Sequence, residues 1–136
     1  MKDLSKQRAK ILLDATRNLR LLVVGDLMLD QFVWGSVRRI SPEAPVPIVE
    51  FENESFMPGG AANVARNLSA LSVPCELFGI VGRDGTGRHL KELLVEQQVI
   101  CNGVLGDSSR PTSIKSRIVA QHQQMVRVDR ESTAVL

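Results

Sequence analysis

The run Leu21-Leu22-Val23-Val24, closed at once by Gly25-Asp26, constrains the fold more than any other stretch of the chain. Four apolar residues in a row, without alternation, suit a strand covered on both faces, as the strands of parallel sheets are. The pattern on either side supplies the helices such a sheet needs. Between residues 4 and 19, Leu4, Ile11, Leu12, Ala15 and Leu19 recur at near-helical spacing with Lys and Arg between them, which predicts an amphipathic helix. Pro58-Gly59-Gly60 opens a second helix with Ala61, Val64, Ala65, Leu68 and Leu71 along one side, stopped by Val73-Pro74. Glu76–Val81 reads as a second buried strand, closed by Gly82-Arg83-Asp84-Gly85. A helix follows from about Thr86 to Gln98, marked by Leu90, Leu93 and Leu94, and then a short strand near Val104-Leu105. Strand and helix in alternation define an α/β class with right-handed crossovers and a main sheet of about three strands.

Two stretches break that rhythm. From Gln31 to Phe56 the chain carries Phe32-Val33-Trp34, two arginines between Val37 and Ile40, and the breaker Ser41-Pro42-Glu43-Ala44-Pro45. Pro47 interrupts the extended piece that follows, and proline within a strand points to a sheet edge. Residues from Thr112 on alternate with period two. Thr112, Ile114, Ser116 and Ile118 take one face; Ser113, Lys115 and Arg117 take the other. Gln121-His122-Gln123-Gln124 reads as a turn, and Met125–Asp129 as the returning strand. Both stretches are predicted to be small antiparallel flaps, about 31–57 and 111–130, set apart from the main sheet.

Composition narrows the function. Lys and Arg number 17 against 15 Asp and Glu, a net charge of +2, with 4% aromatic residues and no Tyr. That balance gives no strong electrostatic or base-stacking case for nucleic acid. Cys75 and Cys101 lack metal-ligand spacing, and nothing calls for a disulfide, so a reducing cytoplasm is expected. No run approaches a membrane span, and the mixed charge after Met1-Lys2-Asp3 is unlike a signal peptide.

Several residues could carry chemistry. In Gly59-Gly60-Ala61-Ala62-Asn63 the glycines permit close backbone approach, the helix start offers free N–H groups, and the Asn63 amide both donates and accepts. A tight turn with small-residue packing explains the same residues, and both readings stand open. Asp26 and Asp30 follow the first strand, where ligands of open α/β sheets bind. Asp26 suits a turn cap. Asp30, between Leu29 and the flap, suits the hydroxyls of a polyol. Lys115 and Arg117, with Arg127 on the returning strand, could hold a phosphate or could form a solvated face; Arg38 and Arg39 carry the same ambiguity. His89 and His122 have no ligand-spaced partners. Gly82-Arg83-Asp84-Gly85-Thr86-Gly87 reads as a strand-to-helix turn with Asp84 in the capping position.

The run Gly59-Gly60-Ala61-Ala62-Asn63-Val64-Ala65, with Ser72 and Gly82 beyond it, resembles the first signature of the ribokinase-like (PfkB) sugar kinases. Arg39-Ile40-Ser41-Pro42-Glu43-Ala44-Pro45-Val46-Pro47 and Gln123-Gln124-Met125-Val126-Arg127-Val128-Asp129 resemble the heptose 7-phosphate kinase branch, which serves ADP-heptose and lipopolysaccharide synthesis. The resemblance implies a ribokinase-like parallel sheet with a β lid, ATP and Mg²⁺ as cofactors, and a homodimer formed through the lid. It implies sugar contacts by Asp30, Gly59, Gly60 and Asn63, and phosphate contacts by Lys115 and Arg117, with Arg39 and Arg127 as further candidates. The family's catalytic aspartate lies in a Gly-Ala-Gly-Asp motif that these residues do not contain. Residues 1–136 are therefore expected to form the N-terminal, sugar-binding part of one kinase domain, with the base beyond Leu136. The alternative is a non-catalytic sugar-binding or dimerising module.

Overall fold

The computed structural model describes residues 4–16 and 18–134. Met1-Lys2-Asp3, Arg17 within the predicted first helix, and Val135-Leu136 lie outside the described residues. In chain order the elements are α1 (Lys6–Thr16), β1 (Leu21–Val24), β2 (Leu27–Ile40), β3 (Pro47–Gly60), α2 (Ala61–Ala70), β4 (Cys75–Gly82), α3 (Gly85–Glu96), β5 (Ile100–Asp107), β6 (Ser113–Ala120) and β7 (Gln123–Arg130).

The apolar run becomes β1, paired in parallel with β4, which pairs in parallel with β5. This sheet, ordered β1-β4-β5, is the predicted three-stranded one. Its strands alternate in burial: Cys75, Leu77 and Val81 point into the core with Val23 packed beside them, while Leu22, Val24, Phe78 and Leu105 are exposed. The inward side chains meet Ala62 and Ala65 of α2 and Leu90 and Leu94 of α3. Small residues on α2 let it lie close to the strands. Burial of Leu77, Leu90 and Leu94 is complete, worth roughly 2 kcal/mol of transfer free energy for each side chain.

The two flaps are one sheet. The order β3-β2-β6-β7 joins the antiparallel pairs β2–β3 and β6–β7 through a parallel pairing of β2 with β6. Its near end is part of the same core, because Leu27, Leu29 and Ile114 pack with the helix side chains. The ring of His89 meets that of Phe56 edge-on at 4.9 Å. Pro47 and Pro58 both lie on β3, an outer strand, the place in a sheet where proline is tolerated.

The structure departs from the sequence expectation in several places: β1 is covered on one face only, α1 buries none of its residues, and β5 runs over Ile100–Asp107 rather than only near Val104-Leu105. Three boundaries near the site differ as well. Strand β2 starts at Leu27 rather than Gln31, so Gly25-Asp26 is a kink between two strands. Gly59 and Gly60 end β3 instead of opening the helix. The β6–β7 turn is only Gln121-His122, since Gln123 and Gln124 already pair with Ala120 and Val119. Both turn residues have positive φ, 50° and 63°, the geometry of the tight hairpin turn that favours glycine. Relieving that strain with His122→Gly is expected to stabilise the chain by about 1 kcal/mol. Urea unfolding checks it, and a lower midpoint would count against the turn geometry.

Candidate functional site

The site begins where β1 ends. The Asp26 carbonyl accepts the Ala61 N–H at 2.9 Å, tying the kink after β1 to the first residue of α2. Gly60, at φ 59° and ψ −134°, makes the corner between β3 and α2. A Cβ there would stand 2.5 Å from the Asp26 carbonyl oxygen, and its backbone region is one that only glycine enters freely. No side chain caps α2, so the amides of its first turn face the corner with only the Asp26 carbonyl supplied locally.

Along β2 the residues Met28, Asp30, Phe32 and Trp34 share one face. In register beside them on β6 stand Ser113, Lys115 and Arg117, and beyond these on β7 stand Asp129 and Arg127. Arg117 Nη1 donates to Asp30 Oδ1 at 2.6 Å, and its guanidinium lies 5.2 Å from the centroid of the Phe32 ring. Phe32 in turn stacks on Trp34 with centroids 6.0 Å apart. The second oxygen of Asp30 faces Gly59: a Cβ on Gly59 would come within 2.6 Å of Oδ2. Asp30 therefore holds one oxygen on Arg117 and keeps the other at the glycine corner. Gly59→Ala is expected to push that carboxylate aside and to cost ligand affinity more than stability, read by calorimetry alongside thermal unfolding.

Lys115 Nζ donates to Asp129 Oδ2 and Glu131 Oε2, each at 3.0 Å, and Arg127 Nε stands 3.0 Å from Asp129 Oδ1. The hydrogen bonds to Glu131 and Asp129 hold the Lys115 ammonium above its ordinary pKa. The Lys115 hydrogen bond likewise draws the Asp129 carboxyl below its ordinary value. Both carboxylates would have to yield before an anion could reach Lys115. A cavity of about 580 Å³ adjoins this row, lined by Val24–Met28 at the end of β1, by Gly79 and Ile80, by Arg110, Pro111 and Ser113, and by the stretch 131–134. It lies beyond the carboxyl end of β1, where open α/β sheets bind ligands.

Of the residues singled out from sequence, Asp30, Gly59, Lys115 and Arg117 come together, with Gly60 forming the corner. Asn63 is half-buried in the first turn of α2 and, among the described residues, makes no side-chain hydrogen bond. Arg127 stands opposite Arg117 on the outer strand and is exposed. Arg39 is exposed nine residues further along β2 than Asp30, about 30 Å away at the rise of an extended strand. Asp26 is exposed and lines the cavity. Sequence reasoning missed the Phe32 platform under Arg117 and the two carboxylates on Lys115. The period-two alignment of Phe32 with Asp30 would have revealed the first. Among the described residues no group of three His, Cys, Asp or Glu is placed to hold a metal ion. No helix among them is long and apolar enough to cross a membrane.

A three-stranded parallel sheet under helices, carrying a second sheet at the carboxyl end of its first strand, is the architecture of the ribokinase-like kinases. Arabidopsis thaliana ribokinase, solved with ribose and ATP, superposes with a TM-score of 0.66 at 22% identity, over 82% of this chain and 35% of that one. A sugar kinase of Pyrococcus horikoshii gives 0.57 at 27% identity, again over 82% and 35%. Residues 18–136 match the family described as pfkB family carbohydrate kinase, and the chain belongs to that family. Among curated relatives, bifunctional protein HldE of Campylobacter concisus is 49% identical over 114 residues, 84% of this chain and 24% of that protein. HldE of Geotalea uraniireducens is 43% identical over 129 residues, 95% of this chain and 26% of that protein. The chain thus spans about a quarter of the length of these relatives.

Proposed function

We propose that this chain carries the acceptor-binding part of a kinase that moves the γ-phosphoryl group of ATP to the anomeric hydroxyl of D-glycero-D-manno-heptose 7-phosphate, in the cytoplasm. The observation that carries the reading is the pairing of Asp30 with Arg117 directly over Gly59, one residue from the glycine corner. The free oxygen of Asp30 accepts sugar hydroxyls, the backbone at Gly59 and Gly60 admits the ring closely, and the unengaged Asn63 amide supplies a further donor and acceptor. Lys115 and Arg117 take the phosphate already on the sugar. The heptose assignment rests on the segments 39–47 and 123–129 and is supported by the likeness to HldE.

Phosphoryl transfer is mostly positioning and charge neutralisation. These residues perform the acceptor side of it: they hold the sugar, fix its orientation and neutralise its phosphate. The base that takes the anomeric proton is assigned to the family's Gly-Ala-Gly-Asp motif, which this sequence lacks. In this reading the four-stranded sheet covers the sugar, and a second copy of the chain docks on it, where Phe51, Val126 and Val128 are exposed.

Calorimetric titration with heptose 7-phosphate and with the same heptose lacking phosphate tests the proposal. The phosphorylated sugar is expected to bind at least tenfold more tightly, the value of one charge-assisted contact. Equal affinity for the two sugars would overturn the assignment of Lys115 and Arg117. Because Glu131 occupies Lys115, Glu131→Gln is expected to tighten heptose 7-phosphate binding severalfold, and a weakened complex would show that Glu131 assists the phosphate site instead.

A further inference from the structure

The chain passes between its two sheets at three places: the kink at Gly25-Asp26, the corner at Gly60-Ala61, and the connection from β5 to β6. The third is held by side-chain hydrogen bonds. Thr112, the residue before β6, is 2% exposed. Its N–H donates to Asp84 Oδ2, its hydroxyl donates to Asp84 Oδ1, and the hydroxyl oxygen accepts the Gly82 N–H, each at 2.8 Å. Asp84 Oδ1 also accepts the Gly87 N–H at 2.8 Å, capping α3. The Asp84 carboxylate therefore joins the start of α3 to the residue before β6, and the Thr112 hydroxyl ties both to the end of β4.

The surroundings are shaped for this junction. A Cβ on Gly82 would come within 2.6 Å of the Thr112 nitrogen and 2.7 Å of Asp84 Oδ2. A Cβ on Gly87 would meet the Gly82 carbonyl and the Thr112 hydroxyl. From Thr112 only three residues lead to Lys115 and five to Arg117, along a strand whose rigidity transmits its starting direction.

We infer that the Asp84–Thr112 clamp is a positioning device, setting the angle at which the four-stranded sheet leaves the core and so where Lys115 and Arg117 stand relative to Asn63 and the first turn of α2. Its consequence for ligand affinity rests on the acceptor-site reading; the geometric part does not. Freed from the clamp, the sheet samples other angles. If a tenth of the molecules keep the competent angle, apparent affinity falls about tenfold.

The test compares Thr112→Val, which keeps the shape and the amide bond but deletes the hydroxyl, with Thr112→Ser, which restores it. Nitroxide labels at Glu92→Cys on α3 and Gln124→Cys on β7, in a Cys101→Ser chain with Cys75 buried, report the angle as a distance distribution. The expected result is a broadened distribution and about tenfold weaker heptose 7-phosphate binding for Val, with both restored by Ser. An unchanged distribution in Val overturns the inference, and so does a broadened one with unchanged affinity. Should the unaltered chain bind no heptose 7-phosphate, the acceptor-site reading fails while the distance measurement still decides the clamp. If the Val chain does not hold its fold, Asp84→Glu, which shifts the carboxylate by one methylene, provides the same comparison.

Discussion

Asp30→Ala is expected to weaken heptose 7-phosphate binding about 100-fold, the loss of a charge-assisted acceptor together with the partner that orients Arg117. Two effects add in this one substitution. The hydroxyl acceptor over Gly59 disappears, and Arg117, released from its 2.6 Å ion pair, is no longer held over Phe32 by a carboxylate. The cost in stability is much smaller. Asp30 and Arg117 keep 20% and 24% of their side-chain surface in solvent, and a pair so placed contributes within about 1 kcal/mol. Calorimetry beside thermal unfolding separates the two. A variant that binds like the parent removes Asp30 from the site; a variant that fails to fold assigns it to the framework.

Asp84→Ala is expected to be the reverse case, with a loss of roughly 3 kcal/mol in stability from the cap and the bonds to Thr112 together. The substitution leaves the Gly87 and Thr112 amides and the buried Thr112 hydroxyl without their acceptor. Burial pushes the Asp84 carboxyl upward, but the hydrogen bonds from Thr112 and Gly87 outweigh it and bring its pKa below the ordinary 3.8. A group depressed in this way contributes its stability above the unfolded value and loses it as pH falls through the folded one. The parent chain should therefore lose stability as pH drops below 3.8, and Asp84→Ala should lose less over the same interval. Parallel acid limbs in urea unfolding would contradict this account. Asp129, drawn down by Lys115, adds a loss of the same sign in both chains.

The legible parts of the fold are those in which a local pattern decides the structure. β1 and β4 are apolar runs with polar stops, α2 and α3 carry leucine or alanine at helical spacing, and Asp84 sits at the start of a helix with the geometry of a cap. The extent of β2 was not legible. It is bulged between Trp34 and Gly35 and again between Val37 and Arg39, and each bulge shifts the period-two alternation on which a strand is recognised. A Cβ on Gly35 would collide with the Glu50 carbonyl, so the glycine that resembles a strand breaker is what the first bulge requires.

The site divides along the same line. Lys115 and Arg117 on one face, and Asp30 after the first strand, follow from spacing alone. Their meeting does not, because Asp30 and Arg117 are 87 residues apart and joined by the parallel pairing of β2 with β6. No local pattern fixes the register of strands so distant, and it is this register that turns two separate flaps into one surface. The balancing of Lys115 by Asp129 and Glu131 comes from the return of β7, equally invisible until the hairpin register is known.

The most direct measurement is the structure of the chain crystallised with heptose 7-phosphate. The account predicts sugar hydroxyls within hydrogen-bonding distance of Asp30 Oδ2, the ring against Gly59 and Gly60, and the phosphate on Lys115 in place of Glu131. A sugar bound elsewhere on the molecule, with Asp30 and Lys115 still engaged only by their protein partners, would contradict it.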